Sequence, residues 1–126
     1  MHFIIDPKTT TNLLFYIALL FLIAHEIDAV RCREWRMFPG LSLLNDKLGF
    51  TIFLLAHIPL FGLLAFYLLK SNNINSLIYY FEIFFIVHLI LHLLYLHHPK
   101  NEFKDWISWT LIITPAVLGF IDLALV

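Results

Sequence analysis

The chain has 126 residues, 61% of them hydrophobic, 17% aromatic and only 13% charged, with a net charge of −1. An ordinary soluble domain is about 25% charged, and a chain this short has too much surface for its volume to hide such an apolar excess from water. The balance excludes a disordered chain, a nucleic-acid binder with a basic face and almost any water-soluble globule, and it leaves lipid as the solvent.

Four apolar stretches follow in chain order, each near the ~20 residues that cross ~30 Å of hydrocarbon. The first spans about 10–30, apolar from Leu13 to Ala24 and then polar at His25, Glu26 and Asp28. A long connection follows, with Pro39-Gly40 as a turn and Asn45-Asp46 as the cap of the next helix. The second stretch spans about 48–69 and is broken only by His57 and Pro59. After a short polar turn from Lys70 to Ser76, the third spans about 77–96 and carries Glu82, His88 and His92. Pro99 stops it, and the fourth spans about 106–126 with Pro115 and Asp122 inside. In lipid every backbone N–H and C=O must be paired internally, so each stretch is expected to be a helix, kinked rather than ended by Pro59 and Pro115. The predicted fold is all-α, a polytopic membrane four-helix bundle forming a single domain over residues 1–126.

The single cysteine, Cys32, excludes an internal disulfide and a Cys-based zinc site. The N-terminal stretch makes a poor signal peptide. Its first positive charge is Lys8 and no small-x-small site precedes His25, so it is expected to be retained. Lys and Arg set the orientation. The first and third connections hold six (Arg31, Arg33, Arg36, Lys47, Lys100 and Lys104), against two, Lys8 and Lys70, on the other side. The positive-inside rule then places those connections in the cytoplasm of a multi-pass cell-membrane protein, with both termini outside and Trp35, Trp106 and Trp109 near the cytoplasmic face.

Ionisable residues inside a membrane are costly, and they mark functional sites. At about 1.5 Å per residue, His25 and His92 fall at about 7 Å depth and His57 and His88 at about 13 Å, close enough for all four imidazoles to share a cavity. His88 and His92 are four apart and share a helical face. Asp28 lies on the same face as His25, and Glu26 about a quarter turn away. Imidazoles with carboxylates suit a transition metal such as zinc or iron. In that reading His25, His57, His88 and His92 hold the ion, and Asp28, with Glu26, bridges or takes a proton from bound water. Arg31 and Arg33 place an anionic lipid headgroup. A b-type haem between two histidines and a proton or ion relay in a transporter or channel subunit are alternatives. A third is an interaction protein whose polar residues only join helices. On the bland side, His57 hydrogen-bonds a neighbouring helix, His25, Glu26 and Asp28 pair with the nearby arginines, and His97 and His98 are solvated at the interface. Glu82 and Asp122 belong to the outer half and form a separate matter. An oligomer is compatible with four helices, although glycines are sparse in the spans, with Gly49, Gly62 and Gly119.

His88-x-x-x-His92 followed by His97-His98 superficially resembles the boxes of membrane di-iron hydroxylases and desaturases, but a His-x-x-His-His box is missing. His25-Glu26-Ile27-Asp28-Ala29 followed by Glu34-Trp35-Arg36 resembles a family of small four-helix bacterial integral membrane proteins of unknown function, with an H-E-x-D-A … E-W-R signature. A looser similarity is to small membrane proteins named for an H-x-x-E-E motif, from which this chain departs with Asp28 and Ala29 at the last two positions. The first resemblance implies a four-helix membrane fold over nearly the whole chain and no activity.

Overall fold

The computed structural model of the chain describes residues 7–70 and 72–125, with side chains from Asn12 onward. The Lys8 side chain and the expected end of the last helix at Val126 lie outside the described residues. The elements are α1 (Pro7–Arg31), α2 (Asp46–Lys70), α3 (Ile74–Leu94) and α4 (Trp106–Leu125), with two 3₁₀ turns, Glu34–Arg36 and Leu41–Leu43, between α1 and α2. All four helices are long and apolar enough to cross a membrane, as in a multi-pass membrane protein.

Local chemistry sets the helix ends. Asn45 caps α2, its side chain accepting from Leu48 N at 2.9 Å. Asn73 caps α3 through Ser76 N and starts that helix three residues earlier than hydropathy alone suggested. Asn101 closes α3 from the far side, donating from Nδ2 to the carbonyls of Tyr95 and Leu96 at 3.2 and 3.1 Å. Asp105 then caps α4 through Ser108 N at 2.8 Å. Both α2 and α4 run unbroken through their prolines.

Each core helix buries one seam at helical spacings of three, four or seven. On α1 it is Phe15, Ala18, Leu22, His25 and Ala29; on α3 Ile78, Glu82, Phe85 and His92; on α4 Ser108, Ile112, Pro115, Gly119 and Asp122. α4 packs along both α1 and α3. α2 flanks this trio: only 6% of its apolar window is buried, against 39% for α1. Lipid is as apolar as leucine, so α2, apolar on all sides, gains little from burial against its neighbours. Its first turn is held where Gly49 admits the Trp35 ring, and Leu64 and Leu68 rest on the core further along. A Cβ on Gly49 would meet Trp35 Cδ1 at 3.1 Å and Leu41 O at 3.3 Å. Trp35 is thereby buried beneath the connection and donates to Asp46 Oδ1 at 3.0 Å, which Arg36 also grips.

Candidate metal centre

The seams of α1 and α3 each carry histidine at the level where the long connection folds back. His25 of α1 is wholly buried, its ring centroid 4.7 Å from that of His88 and 4.9 Å from that of His92. His88 and His92, one turn apart on α3, have centroids 4.6 Å apart, with Nε2 atoms 3.2 Å from each other. One ligand atom from each of the three lies within 4.8 Å of the others. Phe103, buried in the third connection, closes the cluster against His25 and His92. Neither ring nitrogen of His25 has a hydrogen-bond partner, nor has Nδ1 of His88. A buried polar atom left unpaired costs about 1–3 kcal/mol. Three convergent imidazoles with free nitrogens are a donor set for one borderline metal ion.

The structure brings together three of the four histidines singled out in the sequence. His57 stands elsewhere: its Nε2 is 2.8 Å from Glu26 Oε2 and its Nδ1 is 2.6 Å from Phe53 O. Depth along the helix axis does not fix which flank of a neighbour a helix meets, and α2 meets the flank of α1 where Glu26 projects, not its seam. Glu26 is thus engaged by His57. Asp28 is engaged as well, by Arg31 Nε at 2.7 Å, by the Ser108 hydroxyl and, more loosely, by the Cys32 thiol. Arg31 extends the network to Asp105 at 2.8 Å and Ser108 at 3.0 Å, joining the end of α1 to the start of α4. The Asp105 carboxyl is held below its usual range by the Ser108 amide and Arg31. Arg33 is exposed and left-handed, with φ 53° and ψ 49°. Its backbone turns the chain out of α1. His97 is exposed, and His98 Nδ1 accepts from Lys100 N at 3.1 Å.

The carboxylate nearest the cluster is one that the helical pattern missed. Glu34 follows the left-handed turn and reaches back until its Oε1 is 3.4 Å from His92 Nε2. It lies outside α1, so no periodicity joins it to His25; its place in the Glu34-Trp35-Arg36 run was the only hint. Burial, with Glu26 adding to it, pushes its carboxyl up to about 7. Glu34, His88 and His92 open on a cavity of about 280 Å³ whose other walls include Met37, Phe38, Leu91 and Tyr95. A mostly apolar hollow with a few converging polar groups is the usual form of a ligand site.

A family model, that of the family of unknown function DUF6713, matches residues 11–126. The chain belongs to this family. No curated protein and no solved structure matches it.

Proposed function

We propose that this protein is a metal-binding membrane protein in which His25, His88 and His92 hold one transition-metal ion, zinc or iron. The observation that carries the reading is the buried His25 ring, whose two nitrogens have no hydrogen-bond partner beside two further imidazoles. Three protein ligands leave a coordination position open, the pattern of catalytic rather than structural zinc. That position would face the cavity lined by Glu34, and a bound ion would supply Lewis-acid or water-activating chemistry there. Glu34 would accept a proton from a group held beside the histidines. The apolar walls Phe38, Leu91 and Tyr95 suit a lipid-like substrate entering from the bilayer, and the excess of Lys and Arg favours a cytoplasmic location for this end. Ring centroids only 4.6–4.9 Å apart leave no gap for a porphyrin between these histidines, which favours a single ion over haem.

Metal analysis of the full chain purified in detergent tests this. The expected result is about one equivalent per chain, lost in His25→Ala and in His88→Ala. Absence of stoichiometric metal, or its persistence in both variants, refutes the reading.

A further inference from the structure

Farther along the same seam lies a second polar cluster. Glu82 precedes His88 by six residues on α3, about 9 Å of helical rise. It faces α4 where Gly119 touches it, and Asp122, one turn further along the buried α4 seam, interacts with its carboxyl group. Glu82 is 2% exposed and Asp122 1%. Glu82 Oε1 and both Asp122 oxygens are buried with no donor. Gly119 builds in the closeness of α3 and α4 here: a Cβ on it would stand 3.2 Å from the Glu82 carbonyl oxygen and 3.4 Å from its Cα.

Two carboxylates cannot face each other in hydrocarbon with nothing between them; a proton or a cation must intervene. Hard cations such as calcium take about six to eight oxygens. This pair offers at most four carboxyl oxygens, and the buried core of this half of the bundle is apolar: Phe15, Ala18, Leu19 and Leu22 from α1 with Ile78 and Phe85 from α3. None of these is titratable, and on α4 the seam neighbours are Ala116 and Gly119. A proton needs only two oxygens. We propose that Glu82 and Asp122 form a proton-binding site within the membrane, a carboxyl pair that keeps a proton between its two groups at neutral pH. The proton is shared by the pair and belongs to neither residue alone. Wholly buried Phe85 lies on the α3 seam between Glu82 and His92, so the site is insulated from the histidines. Its consequence is a proton-dependent latch. Once the last proton leaves, two carboxylates repel each other in hydrocarbon, and the α3–α4 contact weakens.

Infrared spectroscopy of the full chain in nanodiscs, titrated with pH, tests the proposal through the carbonyl stretch of a protonated carboxyl. The expected result is a band that persists at pH 7, shifts in deuterium oxide, survives in Glu34→Gln and disappears in both Glu82→Gln and Asp122→Asn. Should those variants fail to fold, the wild-type and Glu34→Gln spectra still decide. Absence of the band at pH 7 overturns the proposal, as does its loss in Glu34→Gln. A band absent in the wild type together with stabilisation by added sodium would assign the pair to a cation instead.

Discussion

Replacing His57 with alanine separates its role from that of the other three histidines. Its Nε2 lies 2.8 Å from Glu26 Oε2 and its Nδ1 lies 2.6 Å from the Phe53 carbonyl. Both ring nitrogens are therefore partnered. The side chains are 17% and 16% exposed, so the contact is largely desolvated. A hydrogen bond to a charged group contributes about 1.5–3 kcal/mol. Pairwise couplings between polar side chains inside membranes average only about 0.6 kcal/mol, with a maximum near 1.7. Removal of His57 should thus cost about 1–3 kcal/mol, and a double-mutant cycle with Glu26→Ala should show a coupling of about 0.6–1.7 kcal/mol. Because so little of α2 is buried, the loss should appear as release of α2, read by spin-label distances between α2 and α1 in detergent. Metal content should be unchanged. Loss of the metal in His57→Ala, or a coupling of zero, would refute the assignment of His57 as a tether.

Three further outcomes follow from single contacts. Gly119→Ala places a methyl 3.2 Å from the Glu82 carbonyl oxygen and 3.4 Å from the Phe85 ring; it should cost about 1–3 kcal/mol in thermal unfolding, whereas Gly62→Ala, with nothing within 4 Å, should cost far less. Arg33→Gly relieves a left-handed backbone at φ 53° and should stabilise the chain by about 1 kcal/mol; if it instead weakens binding to anionic vesicles, Arg33 contacts headgroups. Burial pushes the Cys32 thiol up, with Ser108 only partly opposing. Because the thiolate is the reactive form, alkylation at pH 7 should be far slower than for free cysteine and should rise only above the ordinary thiol range. Rapid labelling at neutral pH would contradict the buried environment.

The four helices were legible because lipid imposes a length and a composition on any segment that crosses it, and each apolar stretch matched a helix to within a few residues. Asn45 was readable as a cap for the same local reason. The site was legible only where one helix fixes the geometry: His88 and His92 are four apart on α3, and a helix must put them together. His25 joins them because its seam faces the bundle. Which neighbour meets which flank is not written in hydropathy when every side of α2 is apolar, so the partnership of His57 with Glu26 was hidden. Glu34 was hidden for another reason, since a left-handed turn at Arg33 returns it to the cluster from outside any periodic element. Asp28 resembled a ligand by its spacing from His25, but Ser108, 80 residues further along the chain, and Arg31 occupy its oxygens.

In the proposed function three imidazoles from two helices share one ion. X-ray absorption at the metal edge of the detergent-purified protein tests it most directly. The expected result is three imidazole nitrogens at about 2.0–2.1 Å, the Zn–N range, with imidazole scattering that falls by one ring in His25→Ala if metal is retained. A first shell of oxygens alone, a sulfur ligand, or the absence of any metal edge would contradict it.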